Sequence, residues 1–109
     1  AGDQAMVLVP EKVRQIFVTS ARDDLARLRQ ANADRDGAGL LNRAHAIKGV
    51  LMMLGERELG AHFSALEANL REAVTEVVDA ADRERVEQLG QALEELIERY
   101  AASLTPAGG

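Results

Sequence analysis

Apolar residues recur along this chain at steps of three and four, and four stripes of that kind can be traced. After Pro10, a favourable first-turn residue, the first runs Val13, Ile16, Phe17, Ser20, Ala21, Asp24, Leu25, Leu28, and predicts an amphipathic helix over about 10–31. A polar stretch from Asn32 to Gly39 interrupts it, with Asp36 placed to cap a second helix over about 37–54. That helix carries Leu40, Ala44, Ile47, Leu51 and Leu54, and Gly55 is a natural stop. A third begins near Glu56 with Leu59, Phe63, Leu66, Leu70 and Val74 on its buried side, extending to Val77 or Val78. Asp79 or Asp82 caps the fourth, whose stripe is Val86, Leu89, Leu93, Leu96, Ile97, Tyr100 and Leu104.

Nothing alternates with period two over a useful length, so no strand is expected. Four helices with short connections predict an all-α fold, an antiparallel up-down four-helix bundle over residues 10–104. The leader, residues 1–9, has room for a short helix over one end, with Val7, Leu8 and Val9 as its apolar contacts. The tail, residues 105–109, with Pro106 and two glycines, reads as a flexible linker.

Composition narrows the function. At 109 residues the chain is one domain, able to bury roughly two-thirds of its unfolded surface without a metal or crosslink. There is no cysteine, which removes disulfides, thiolate catalysis and cysteine-bound metal. A net charge of −5 without a dense basic block argues against nucleic acid. The early apolar run, Ala5 to Val9, is too short to span a membrane. No Gly-rich phosphate loop is present, so the domain is not expected to bind or hydrolyse ATP on its own. A di-iron bundle needs Glu-x-x-His on two helices, and the chain has neither.

The chemistry concentrates on the second helix. His45 lies about 100° from the stripe residue Ala44, at the core boundary, with Lys48 at i+3 and Gly49 at i+4. Leu41 at i−4 and Met52 at i+7 continue that face. By spacing alone, a boundary histidine beside a solvated lysine is the commoner arrangement. Gly49 shifts the balance, because a glycine inside a helix costs about 0.5–1 kcal/mol relative to alanine. Its presence suggests that something must approach the His45 ring closely. The other histidine, His62, sits at the edge of the third stripe and reads as structural or solvated.

The segment His45-Ala46-Ile47-Lys48-Gly49, followed by Leu54-Gly55 and then by Leu59, Phe63 and Leu66-Glu67, resembles the histidine-containing phosphotransfer (HPt) domains of bacterial multistep phosphorelays. The spacing matches over about 10–104. The pair after Gly49 departs from the family's small residues, being Val50-Leu51 followed by Met52-Met53, which bears on packing and partner choice.

The resemblance implies that His45 is the phosphorylated residue, that Lys48 stabilises the phosphoryl group and that Gly49 keeps access open. It implies receiver (response-regulator) domains as partners, which donate from an aspartyl phosphate and later take the group back. Mg²⁺ is expected on the partner receiver and no cofactor on this domain. Leu41, Met52 and Met53 are the expected apolar docking contacts, joined by an unspecified residue of the first helix. Arg43 and Arg57 are expected to add a positive rim. A helical docking or oligomerisation module without phosphotransfer is the alternative. The isolated domain is expected to be a monomer, since one bundle can use all its stripes. It is also expected to be cytoplasmic, without direct membrane contact, and excised from a hybrid sensor kinase.

Overall fold

All four expected helices form, and the residues at their ends explain where each begins and stops. The computed structural model describes residue 6, residues 8–72 and residues 78–105. Helix α1 spans Glu11–Ala33, α2 Gly37–Met53, α3 Arg57–Glu72 and α4 Ala80–Ala102. Asp36 caps α2 by accepting the Gly39 N–H at 3.0 Å. Of the two candidates for α4, Asp79 is the cap, accepting the Asp82 N–H at 2.7 Å. Pro10 stands just before α1, where its missing N–H costs nothing.

Two helices end in the same way, with paired backbone bonds around a residue of positive φ. At the end of α2, Gly55 has φ 82°, the Gly55 N–H donates to Met52 O, and the Glu56 N–H donates to Leu51 O at 2.9 Å. At the end of α1, Arg35 stands in the equivalent place with φ 54°, and the Asp36 N–H donates to Ala31 O at 2.9 Å. A residue with a Cβ is strained in this region, a cost that glycine avoids.

The helices close into an antiparallel ring in which α1 packs most extensively on α4, and α2 on α3. The α1–α4 register is read from its polar pairs. Arg14 donates to Ser103 Oγ at 2.7 Å, Arg22 pairs with Glu98, Arg29 with Glu94, and Asn32 Nδ2 donates to the Arg83 carbonyl. Among the described residues there is no strand, and the interior is Leu-rich, with Leu28, Leu40, Phe63, Leu66 and Tyr100 fully shielded. Tyr100 packs against Phe17 with ring centroids 4.8 Å apart, and its O–H donates to the buried Glu56 carboxylate at 2.9 Å. Burial, then the bond to Glu56, push the phenol well above its ordinary range.

Several stripe positions differ from expectation. Val13 and Ile16 are 41% and 60% exposed, and Ser20 is exposed, whereas Val18 and Asn32 are buried. The buried face of α1 is centred on Phe17, Ala21, Leu25 and Leu28, and Val13 and Ile16 fall off its edge. Leu8, expected as a contact of the leader, is 85% exposed, while Met6 and Val9 pack against the core. The other leader positions, including Val7, the extension through Val74 and Val77, and the tail 106–109 lie outside the described residues. Thr105, expected in the tail, donates its N–H to Glu11 at 2.6 Å.

Relieving the strained turn is expected to strengthen the fold. Arg35→Gly should raise unfolding stability by about 0.5–1 kcal/mol, read as a higher denaturant midpoint at unchanged slope. A midpoint at or below that of the wild type would mean that the Arg35 side chain outweighs its backbone cost.

Candidate functional site

Glu67 is a charged residue on a buried stripe. It lies on α3 between Phe63, Leu66 and Leu70, is 5% exposed, and faces α2. A carboxylate removed from water in this way loses several kcal/mol of solvation unless charges and donors replace it. Three groups do so. His45 Nδ1 is 3.0 Å from Oε2, Arg71 Nη2 donates to the same oxygen at 2.8 Å, and Lys48 Nζ stands 2.8 Å from Oε1. The Lys48 contact is a close ion pair off the line of a directed hydrogen bond. The Lys48 ammonium, and after it His45, hold the Glu67 carboxyl below the usual glutamate range against the opposing effect of burial.

The ring is therefore held on one side only. With Glu67 ionised, Nδ1 is the nitrogen that carries the proton, and Nε2 keeps its lone pair. No hydrogen bond from the described residues reaches Nε2, and the His45 side chain is 64% exposed. Helix α2 accounts for this placement. Ala44 and Ile47 on either side of His45 are buried, and one residue's rotation carries the imidazole from the core to the rim facing α3.

Of the other residues singled out from sequence, Lys48 joins the cluster directly, with its side chain 28% exposed. Gly49 is exposed, and a Cβ built on it would meet nothing within 4 Å. Packing inside this chain does not require glycine there. Met52 and Met53 are 50% and 81% exposed on the following turns, and Leu41 is half-buried against the core. Arg43 points the other way, to α1, and is tied to Asp24 at 2.9 Å, so its charge is neutralised inside the bundle. Arg57 is exposed at the start of α3, ten residues and about 15 Å along the axis from Glu67. His62 is exposed and lines a separate groove between α3 and α4 with Glu58 and Glu95.

Glu67 and Arg71 are the members of this cluster that sequence reasoning passed over. Glu67 figured only as the end of a Leu-Glu pair. Its signal was its position, four residues after Phe63 and three before Leu70, where the stripe calls for an apolar side chain. Arg71 at i+4 then completes a helix pair with it.

Beside the cluster lies an open groove of about 200 Å³ lined by Lys48, Ser64, Glu67, Ala68 and Arg71. A larger one of about 440 Å³, lined by Arg29, Asn32, Arg83 and their neighbours, lies between α1 and α4 and does not touch His45. The smaller groove holds both cations and the Glu67 carboxylate that His45 meets. Among the described residues no group of three or more His, Asp or Glu side chains is arranged to hold a metal ion. No described helix is long and apolar enough to cross a membrane.

A helical bundle presenting one exposed imidazole, oriented by a buried carboxylate and flanked by cations, defines a histidine-based group carrier. The Hpt domain family matches residues 12–103, and the chain belongs to it. It is thus a histidine phosphotransfer carrier of phosphorelays, a kind of domain that works with receiver domains. No curated protein and no solved structure matches the chain significantly.

The depressed Glu67 ionisation makes stability depend on pH in a definite sense. A carboxyl whose folded value lies below its unfolded one contributes stability above the unfolded value, and loses it as pH falls through the folded value. Glu67→Gln should therefore destabilise the domain by about 1–2 kcal/mol near pH 7, with the difference from wild type closing below about pH 4. Chemical denaturation at pH 7 and pH 3.5 measures it. A gap of equal size at both values would show that the charge of Glu67 does not stabilise the fold.

Proposed function

We propose that His45 is the phosphoryl acceptor of this domain, and that Nε2 takes the group from the aspartyl phosphate of one receiver and returns it to the aspartate of a second. The observation that carries this reading is the His45 Nδ1 to Glu67 bond at 3.0 Å, which leaves Nε2 as the free nitrogen on an exposed ring. In the first step Nε2 donates its lone pair to phosphorus while the bond to the aspartyl oxygen breaks, and that electron pair returns to the receiver's carboxylate. The reverse sequence delivers the group to the second receiver. Phosphoryl transfer of this kind depends on positioning and charge neutralisation. Mg²⁺ belongs to the receiver side, and this chain supplies the oriented ring and nearby positive charge.

Lys48 is the first candidate for that charge. Its ammonium already stands at the cluster, and a short swing from Glu67 brings it to a phosphoryl group on Nε2. Its partial exposure keeps the contribution modest. The docking face combines Met53 of α2, and the half-exposed Met52 that lies across α3 at Gly60, with the exposed Val13 and Ile16 of α1. Ile16 and Val13 thereby supply the first-helix contacts that the stripe pattern had assigned to the core. Arg57 is a candidate for the rim, whereas Arg43 is committed to Asp24. The domain acts as a monomer in the cytoplasm.

Incubation with a phosphorylated receiver is expected to place an acid-labile, base-stable phosphate on the wild-type chain and none on His45→Gln. Equal labelling of the two would remove His45 from the mechanism. Receiver binding without any labelling of the wild type would favour a docking module instead.

Gly49 gives a second test. Gly49→Ala should make the isolated domain more stable by about 0.5–1 kcal/mol, since the added methyl meets nothing and the helix gains. Gly49→Leu should remain folded yet slow transfer from the receiver by about tenfold or more, because bulk beside the ring displaces the partner. Unchanged transfer in Gly49→Leu would mean that no close approach occurs at this position.

A further inference from the structure

The cluster holds more positive charge than the orientation of one ring requires. Oε2 of Glu67 is shared between His45 Nδ1 at 3.0 Å and Arg71 Nη2 at 2.8 Å, while Lys48 Nζ takes the other oxygen at 2.8 Å. Fixing a tautomer needs only the first of these contacts. We infer that Glu67 sets how readily phosphorylated His45 gives up its phosphoryl group, through the share of its negative charge left to Nδ1, and that Lys48 and Arg71 compete for that share. This rests on His45 being the acceptor, as proposed above.

The chemistry turns on the proton at Nδ1. When the P–N bond breaks, its electron pair returns to Nε2. If Nδ1 holds a proton, the ring departs as neutral imidazole; without it, the ring must depart as imidazolate, a far poorer leaving group. In hydrolysis, water oxygen bonds to phosphorus, one water proton passes to solvent, and the Nδ1 proton stays on the ring. A carboxylate at 3.0 Å favours the protonated, cationic form of the phosphorylated ring, and so favours release. Two cations on the same carboxylate weaken that effect.

The competitors are not equally fixed. Arg71 reaches Glu67 from one turn along α3 and its side chain is 66% exposed, so it can leave the carboxylate for solvent or for a phosphoryl group with little loss of packing. Lys48 is more enclosed, at 28%, but lies off a directed hydrogen bond. A dianionic phosphoryl group on Nε2 attracts both. Divided between it and the carboxylate, each still withholds part of the Glu67 charge from Nδ1, and removing one of them leaves more of that charge to the ring. The charged groups facing the ring are Lys48 from α2 and Glu67 and Arg71 from α3. Asp24 of α1 is paired with Arg43 of α2, and among the described residues no ion pair joins α1 or α4 to the cluster.

The test separates lability from relay function. In a His62→Gln background His45 is the sole histidine, and phosphoramidate can load it without any receiver. Decay of the P–N signal is then followed by ³¹P NMR from pH 5 to pH 10. With Glu67→Gln, whose carbonyl oxygen can still accept from Nδ1, the pH of half-maximal decay should fall by about one unit and the lifetime near pH 8 should lengthen about 3- to 10-fold. Arg71→Gln, an exposed change that the fold should tolerate, should move the profile the opposite way and shorten the lifetime. ¹⁵N NMR should show Nδ1–H retained in both.

Unchanged decay profiles with the tautomer retained, or shifts of the same sign in both variants, would overturn the inference. Transfer from the loaded wild type to receivers is scored separately. A chain that shows the opposed shifts but hands nothing to any receiver would sink the carrier reading and leave this one standing.

Discussion

The Glu67 carboxylate is the constraint around which the bundle is arranged. It sits where an apolar side chain would pack without penalty, between Phe63, Leu66 and Leu70, and can remain ionised there only if positive groups meet it. Those groups come from two helices, His45 and Lys48 from α2 and Arg71 from α3. The requirement therefore fixes how α2 is rotated against α3 as well as how far it is slid along it. A rotation by one residue would carry Lys48 away and leave a buried charge with too few partners. Hydrophobic packing holds the helices together, and this polar demand selects one arrangement among those that packing tolerates.

The same contact divides the imidazole into two ends with opposite conditions. Nδ1 faces a buried anion and Nε2 faces open surface, so the ring is rigid in orientation yet accessible. A deep pocket would work against this arrangement. A carrier must be covered by one partner, uncovered, and covered by another, so the enclosure that transfer needs has to arrive with each partner. The shallow 200 Å³ groove beside His45 and the exposed methionines after it suit a surface that completes its site only in a complex.

The four helices were legible because their stripes, caps and stops all agree: Asp36, Asp79 and Gly55 each act where their chemistry suggested. His45, Lys48 and Gly49 were legible because they lie within one turn on one helix, a relation that spacing alone expresses. Glu67 and Arg71 were not, since their role depends on which face of α3 meets α2, and that is a tertiary fact. The misassignment of Val13 and Ile16 has a related cause. Periodicity identifies apolar positions but cannot distinguish a stripe that faces the core from one reserved for a partner. Arg35 escaped notice because the signal for a positive-φ turn is glycine or asparagine, and here the backbone adopts that turn with a residue that resists it.

Comparison of three glycines shows where the demands on this chain originate. Gly55 is required by its own backbone, whose φ of 82° ends α2. At Gly60 a Cβ would stand 2.6 Å from Met52 Sδ, so the missing side chain lets that half-exposed, flexible methionine lie across α3, although the methionine could also move aside. Gly49 answers to neither condition, because its φ is helical and the space above it is empty. Such a residue weakens its own helix and relieves no contact among the described residues, and the proposed function accounts for it by a contact with a partner. The side chains around it agree: Met53 on the next turn is exposed, and His45 one turn before has no hydrogen bond to Nε2 from the described residues. In the proposed carrier role that contact belongs to the receiver, and Gly49 leaves room for it one turn from His45.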